Sequence, residues 1–143
     1  TLTATLVVGS KAYLVNVGDS RTYLYRPDSG LTQITNDHSL VASLVASGEI
    51  SPDEVYTHPE RNKVYRSLGN QENVEVDWFV VDLYENDSLL LCSDGLWEMV
   101  RDPEIERIIW TMRDPLRVSD VLVNAALQGG GRDNVSVIVA RMP

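Results

Sequence analysis

Cysteine and histidine are scarce in this sequence of 143 residues, which contains one Cys and two His. A single cysteine, Cys92, excludes an internal disulfide framework. Because Cys92 stands inside an apolar run, we interpret it as a small buried hydrophobic residue, in the reducing setting of the cytoplasm. His38 and His58 lack the close spacing of zinc ligands, so we assign neither residue a role in catalysis.

Basic charge and long apolar stretches are also lacking. The chain has 21 acidic residues against 12 Lys and Arg, and its net charge of −9 opposes electrostatic binding to nucleic acid. No segment approaches the run of about 20 apolar residues that a membrane helix requires, and residues 1–8 resemble a β-strand more than a signal peptide. The length and the hydrophobic content of 43% instead predict one globular core that binds neither nucleic acid nor membrane.

Runs rich in Val, Thr, Tyr and Leu predict a largely antiparallel β-structure. The predicted strands cover residues 3–8, 11–17, 21–26, 31–35, 74–83, 89–92 and 135–140. We interpret the first three as an antiparallel meander, and the turn Glu85-Asn86-Asp87 as a hairpin into the apolar strand 89–92. Few charges interrupt the last strand, so we expect it in the centre of a sheet.

Helical spacing appears in three other places. A short helix is predicted to begin near Ser39 and to stop at Gly48, and longer helices are predicted to follow Asp102 and Asp114. Ser51-Pro52 favours one more helical turn, because serine caps helices and proline suits the first helical position. The remaining residues between 36 and 69 are mostly polar, and we interpret that stretch as an excursion from the sheet where binding determinants lie.

Three aspartates adjoin glycines at the ends of predicted strands. Asp94 ends the apolar run and precedes Gly95, Asp133 follows three glycines and precedes the last strand, and Asp19 follows Gly18. Each aspartate alone is more often a turn residue that accepts hydrogen bonds from nearby backbone N–H groups. Three carboxylates at strand ends, where open sheets bind their ligands, together favour a ligand site.

Carboxylate oxygens are suited to Mg²⁺ or Mn²⁺. Two such ions about 4 Å apart can orient and deprotonate a bridging water while they neutralise charge on a phosphoryl group. The placement of the aspartates therefore suggests hydrolysis of a phosphate ester, a hypothesis that requires the side chains to converge.

Five motifs in a fixed order resemble one known family, the metal-dependent protein serine/threonine phosphatases of the type-2C class, particularly the compact bacterial enzymes. The motifs cover nearly the whole chain: Val17-Gly18-Asp19-Ser20-Arg21 with Tyr23; Thr35-Asn36-Asp37-His38-Ser39; Asn62 through Arg66 with Leu68 and Gly69; Leu90 through Trp97; and Gly130 through Ser136. One such motif would be weak support, whereas five in order are specific.

The resemblance implies an α+β fold, an antiparallel β-sandwich flanked by helices, and a named role for several residues. Asp94 and Asp133 would be ligands of a catalytic centre with two Mn²⁺ or Mg²⁺ ions, and Asp19 would belong to a third, weaker metal site. Asn134 would steady the loop behind these ligands. Residues 36–69 would form a flap that influences access, and a metal-activated water would attack phosphoserine or phosphothreonine in a phosphoprotein without a covalent enzyme intermediate.

One motif of the family, Asp-Gly-x-Gly-Gly, has no counterpart in the chain. In the family this motif supplies an acid that bridges both metals, so we interpret the sequence as the C-terminal part of a catalytic domain and expect an incomplete sandwich. We expect this chain alone to bind metal weakly and to be weak or inactive as an enzyme. We also expect its uncovered strand edges to favour self-association, as a dimer or by exchange of elements. The alternative function is a catalytically silent, phosphatase-like binding module.

Overall fold

A computed structural model describes all residues from 1 to 143 and shows two antiparallel sheets with helices packed on them. The strands are β1 Leu2–Val8, β2 Lys11–Val17, β3 Arg21–Arg26, β4 Gly30–Gln33, β5 Asp77–Asp82, β6 Ser88–Cys92 and β7 Val137–Arg141. The helices are α1 Leu40–Ala46, α2 Asp94–Trp97, α3 Asp102–Thr111 and α4 Pro115–Gln128, with a 3-10 helix at Pro52–Tyr56. The predicted class, an antiparallel β-sandwich flanked by helices, is confirmed.

The larger part of the core lies between the second sheet and the long helices. The second sheet has the order β4-β3-β6-β7, and the apolar stripes of α3 and α4 are buried against it, as their spacing predicts. A smaller cluster, which includes Leu14 of β2 and Leu24 of β3, lies between the two sheets. Cys92 is 3% exposed, within the larger cluster, which confirms its interpretation as a buried residue.

The chain crosses between the sheets at two places where the sequence predicts hairpins. The first sheet has the order β1-β2-β5, whereas β3 pairs with β4 and β6 in the second sheet. The predicted antiparallel pairing of β1 with β2 is confirmed, but the predicted pairing of β2 with β3 is wrong, and so is the predicted hairpin of β5 and β6. The physical reason is burial, because five residues of β3 are buried in succession and such a strand needs cover on both faces. As a consequence, residues 18–20 connect the two layers of the sandwich.

The last strand, β7, lies at the edge of the second sheet and not in its centre, so this prediction is also wrong. Val137 and Val139 pack against the larger core cluster, but Ile138 on the opposite face is 63% exposed. The β-branched composition of β7 thus reflects the cover that α4 provides on one face. Its register places Val137 opposite Cys92, which brings the residues before β7 next to the residues after β6.

Residues 36–69 form the predicted excursion beside the second sheet. Ser39 caps α1 by accepting a hydrogen bond from the Ala42 N–H, and Ser51 and Glu54 form a capping box at the 3-10 helix, so both predicted helical segments are confirmed. A pocket of about 580 Å³ lies between α1, the 3-10 helix and the second sheet. None of the helices in the structure combines the length and the apolar character that crossing a membrane requires.

The outer face of the first sheet is apolar. The strand register aligns Leu6 with Tyr13 and Val80 across the three strands, next to a row that ends at Trp78. Leu6 is 64% exposed and Trp78 is 73% exposed. The edge strand β1 contains no charged residue, although charges on edge strands are a common protection against pairing with other chains.

We expect this chain, when produced by itself, to form dimers through that outer face. An exposed apolar face of this kind gains free energy when it is covered, so replacing Leu6 and Trp78 by Glu should convert the dimer to a monomer. Light scattering after gel filtration, at two concentrations about tenfold apart, measures the change. Trp110→Glu is the matched control, because Trp110 is 71% exposed but lies on α3. A monomeric parent chain at the higher concentration would contradict the prediction.

Candidate metal centre

Asp94 begins a helix of a single turn directly after the buried strand β6. Ser93 is the N-cap residue of α2, and Asp94 is the first residue of the helix. The Gly95 N–H donates to Oδ1 of Asp94 at 2.9 Å. Backbone N–H groups at a helix start favour a carboxylate in this position. The fold therefore presents the Asp94 side chain at the end of β6, as the sequence predicts.

The loop that carries Asp133 is fastened to this turn by Ser93. The Ser93 N–H donates to the Ser136 carbonyl at 3.1 Å, the Ser136 N–H donates to Oγ of Ser93 at 3.0 Å, and this hydroxyl donates to the Asn134 carbonyl at 3.2 Å. A Cβ at Gly95 would collide with the same Asn134 carbonyl. Position 95 therefore requires glycine because the Asn134 carbonyl lies too close for a side chain. The sequence analysis gave a different reason for this glycine, a sharp turn after Asp94. The two loops are held as one unit.

Asp133 is oriented by its own loop. The Asn134 N–H donates to Oδ1 of Asp133 at 2.7 Å, so Asn134 contacts the candidate ligand through its backbone. The charge of Asp133 contributes to a raised pKa of Asp94, after the larger effect of burial. The Asp94 and Asp133 carboxylates are therefore close enough for the charge of one to affect the pKa of the other. This supports the hypothesis that the two side chains converge.

Asp19 lies in the crossing between β2 and β3 and faces the same region. Its residue is 6% exposed, and its carbonyl accepts a hydrogen bond of 2.9 Å from Nε1 of Trp97, the last residue of α2. Burial first, and then the charge of Asp94, raise the pKa of Asp19 to about 6. One helical turn thus carries Asp94 at its start and holds Asp19 at its end.

Glu98 is a fourth acid in this region that the sequence analysis did not single out. Burial and the charges of Asp94 and Asp133 raise its pKa, and Nε of Arg61 lies 3.8 Å from its Oε2. Glu98 follows Asp94 by four residues at the end of a helical turn, a spacing that places side chains on one face. That spacing was the available signal, but Glu98 adjoins no glycine and so escaped the pattern used for the three aspartates.

The acids suit a hard divalent cation in chemistry and supply part of a coordination shell. None of the ion pairs in the structure involves Asp19, Asp94 or Asp133, so no Lys, Arg or His side chain is paired with these carboxylates. No group of three His, Cys, Asp or Glu side chains is placed to hold a metal by itself. Mg²⁺ typically keeps several waters and takes one or two protein carboxylates, a number that Asp94 and Asp133 match.

Neither histidine belongs to this set of acids, although His38 contacts Gly18, the residue before Asp19. His38 is 3% exposed and bonds to residues of the crossing and of β5, and Nδ1 of His58 accepts from the Glu60 N–H at 3.1 Å. The pocket of about 580 Å³ is lined by Arg21, Asp37 and residues of α1. The acids themselves lie where the connections after β2 and β6 meet the connection before β7.

The raised pKa of Asp19 predicts a pH dependence of stability in the metal-free protein. Between about pH 4 and pH 6 folded Asp19 retains a proton that the unfolded chain has lost, so the free energy of unfolding should fall as pH rises through this window. Asp19→Asn should flatten this dependence and raise the free energy of unfolding at pH 7 by about 1–2 kcal/mol, because screening by solvent reduces the full effect of the shift. Urea unfolding in EDTA at several pH values measures the effect. Asp28→Asn, at an exposed turn, is the control and should leave the slope unchanged; an unchanged slope in Asp19→Asn as well would contradict the prediction.

The family model described as "Protein phosphatase 2C" matches residues 1–43 of the chain. Serine/threonine phosphatase stp of Listeria innocua is 44% identical over 139 residues, which are 97% of this chain and 55% of the Listeria protein. Serine/threonine protein phosphatase PstP of Mycobacterium tuberculosis is 42% identical over 98% of this chain and 27% of its own length. The chain thus spans about half the length of the Listeria protein, and less of the longer mycobacterial one.

Solved structures show the same fold. Serine/threonine phosphatase Stp1 from Staphylococcus aureus superposes with a TM-score of 0.92 and 37% identity, over 99% of this chain and 55% of Stp1. The catalytic domain of PstP in complex with two manganese ions superposes with a TM-score of 0.87 and 37% identity, over 99% of this chain and 58% of that domain. Both similarities extend over all the elements described above.

Proposed function

Because the chain is a relative of the protein phosphatase 2C family and matches part of its catalytic domain, we propose that it carries part of the metal centre of a phosphatase. The reaction is the hydrolysis of phosphoserine and phosphothreonine in proteins. The relatives named above are serine/threonine phosphatases, and identity near 40% over nearly the whole chain supports the same reaction class.

The proposal rests mainly on one observation: the turn that carries Asp94 is hydrogen-bonded to the loop that carries Asp133. Ser93 joins them by three hydrogen bonds, and the close approach at Gly95 leaves no room for a side chain. Two carboxylates held this closely repel each other unless a cation lies between them. An arrangement that raises the pKa of Asp94 and offers no Lys or Arg is therefore suited to a metal ion.

Asp94 and Asp133 would hold Mn²⁺ or Mg²⁺ in the catalytic centre, which takes two ions, and Asp19 would serve a third, weaker site. The ions supply Lewis-acid activation of a water and neutralisation of charge on the phosphoryl group. The residues of this chain act by position: the Asn134 N–H orients Asp133, the Gly95 N–H orients Asp94, and Trp97 fixes the Asp19 backbone. Asp19 is buried and Asp94 is half-buried, and the lower local dielectric constant strengthens the attraction of these two carboxylates for a cation.

Residues 36–69 would act as a flap that controls the approach of a phosphoprotein. The segment lies against the second sheet through α1 and the 3-10 helix, and its Arg61 reaches Glu98 beside the acids. Exposed segments that border a rigid site often determine which substrates enter. The size and position of this excursion thus support a role in substrate selection.

A second candidate function is a catalytically silent module that recognises partner proteins through the same flap. The observation in its favour is that the chain places no group of three potential ligands around one metal ion. A silent module would keep the fold and the flap without hydrolysis. Metal-dependent turnover therefore separates the two functions.

The deciding experiment measures release of phosphate from a phosphothreonine peptide by the natural protein that carries this sequence. We expect hydrolysis in Mn²⁺, loss of activity in EDTA, and recovery when Mn²⁺ is restored, because the acids need a cation to act on a phosphate ester. Lys11→Ala, in an exposed ion pair of the first sheet, is the control for non-specific effects and should keep full activity. Binding of Mn²⁺ without phosphate release would favour the silent module.

A further inference from the structure

His38 holds the backbone of Gly18, the residue directly before Asp19. The Gly18 N–H donates to the ring atom Nδ1 of His38 at 3.0 Å. The backbone N–H of His38 donates to the Gly18 carbonyl, also at 3.0 Å. Gly18 has a φ of +106°, in a region that residues with a side chain rarely adopt. One buried residue thus satisfies both backbone polar groups of Gly18, at the point where the chain crosses between the sheets.

The hydrogen bonds determine the tautomer of the His38 ring. Because Nδ1 accepts from the Gly18 N–H, the ring proton resides on Nε2 and is donated to Oδ2 of Asp77, at 2.9 Å. Arg66 in turn donates to Oδ1 of Asp77 at 2.9 Å and to Glu75 at 2.9 Å. The ring is therefore fixed at both of its nitrogens, on one side by the crossing and on the other by an ion pair at the start of β5.

The Gly18 N–H has no other acceptor than His38, whereas the neighbouring groups have further partners. The Gly18 carbonyl also accepts from Nδ2 of Asn16 at 3.2 Å, and the Asp19 carbonyl accepts from Trp97. The orientation of the Gly18 N–H, and with it the path of the chain into Asp19, consequently depends on the His38 ring.

We propose that His38 is a positioning residue that orients the Gly18–Asp19 segment and so presents the Asp19 carboxylate to a divalent cation. The inference rests on the proposed function for the identity of the cation. Its structural part, that His38 fixes the place of the Asp19 backbone, is independent of any metal. Each part has its own measurement.

Two amide variants separate a positioning role from a general contribution to the core. His38→Asn has an oxygen close to the place of Nδ1, so it can accept from the Gly18 N–H but does not reach Asp77. His38→Gln has an N–H close to the place of Nε2, so it can donate to Asp77 but leaves the Gly18 N–H unpaired. Both variants remove the ring and should lower the melting temperature by similar amounts.

The first measurement is hydrogen exchange of the Trp97 indole N–H in metal-free protein. This group donates to the Asp19 carbonyl, and Trp97 is 2% exposed whereas Trp78 and Trp110 are 73% and 71% exposed, so its signal is the slowly exchanging indole. We expect His38→Gln to accelerate exchange by about tenfold or more, and His38→Asn to accelerate it by less than about threefold. Equal acceleration in both variants would mean that His38 contributes only to packing of the core, and this would overturn the inference.

The second measurement is a Mn²⁺ titration of the natural protein by calorimetry. We expect His38→Gln to weaken the weakest Mn²⁺ site by about 10-fold or more, an effect typical of residues that orient metal ligands, while His38→Asn changes it by less than about threefold. In an Asp19→Asn background, His38→Gln should have no further effect on Mn²⁺ binding. Equal weakening by the two amide variants, or a further effect in that background, would overturn the inference. If the unaltered protein binds no Mn²⁺ but the indole exchange differs between the variants, the proposed function fails and the positioning role stands.

Discussion

Replacement of Asp94 by Asn should lower the rate of Mn²⁺-dependent phosphopeptide hydrolysis by a factor on the order of 10³, or about 4 kcal/mol of transition-state stabilisation. Asn keeps the size of the side chain and can still accept from the Gly95 N–H, but it removes the negative charge that attracts the cation. Asp133→Asn should cause a loss of similar size. The double variant should be little worse than either single variant, because residues that act as a unit have non-additive effects.

The same substitution should stabilise the metal-free protein, which separates a lost site from a lost fold. Burial and the charge of Asp133 raise the pKa of Asp94, so the ionised carboxylate destabilises the folded state at neutral pH. For Asp94→Asn, the free energy of unfolding measured with urea in EDTA should therefore rise, while the rate of steady-state hydrolysis in Mn²⁺ should fall. Asp120→Asn is the control, since Asp120 is exposed on α4 and the charge change is identical. Full activity of Asp94→Asn would refute the role proposed for Asp94.

Replacement of Arg21 by Ala should lower the free energy of unfolding by about 3–5 kcal/mol, the cost of leaving a buried charge unpaired. Arg21 donates to Asp37 from Nε at 3.0 Å and from Nη2 at 2.7 Å, and the two side chains are 8% and 6% exposed. Its guanidinium also donates to the Tyr23 hydroxyl at 2.9 Å and lies 3.6 Å from the centre of the Trp97 ring. Without Arg21, the Asp37 carboxylate keeps only the bond from Gln33.

Urea unfolding measures this loss, and further variants identify its cause. Arg21→Lys keeps the charge but not the planar, two-pronged geometry, so it should fall between the parent and Arg21→Ala. Adding Asp37→Ala to Arg21→Ala should recover part of the loss, because no charge is then left unpaired. The control is Lys11→Ala, which breaks an exposed ion pair with side chains 49% and 57% exposed and should cost less than about 1 kcal/mol. Equal losses for Arg21→Ala and Lys11→Ala would show that burial of the pair is unimportant.

Local patterns in the sequence predict most elements of this fold, because they act within a few residues. Serine caps, first-turn prolines and apolar stripes place α1, α3 and α4 correctly. The resemblance to the type-2C phosphatases, which rests on five motifs, is confirmed by the homologues. Glycine next to aspartate at strand ends also directed attention to Asp19, Asp94 and Asp133, whose charges influence one another in the structure.

Strand pairing and distant contacts were not predictable in the same way. The sequence suggests a hairpin wherever two strands are joined by a short turn, but β2 and β3 separate because β3 needs cover on both faces. The edge position of β7 depends on α4, which lies beside it in space and provides its cover. Arg21 pairs with Asp37, 16 positions away, and the His38 ring bonds to Gly18, 20 positions away, and to Asp77, 39 positions away. No periodicity in the sequence predicts such contacts.

The four residues of α2 have a consequence for how this protein can vary in length. Asp94 and Trp97 lie at the two ends of one helical turn. Asp94 is a candidate metal ligand, and Trp97 donates a hydrogen bond to the Asp19 carbonyl. An inserted or deleted residue between them would rotate one end by about 100° relative to the other, so Trp97 could no longer reach Asp19. By contrast, residues 70–73 are exposed and belong to no helix or strand. Natural variants of different length should therefore accumulate insertions there, whereas the interval from Asp94 to Trp97 should keep a constant number of residues.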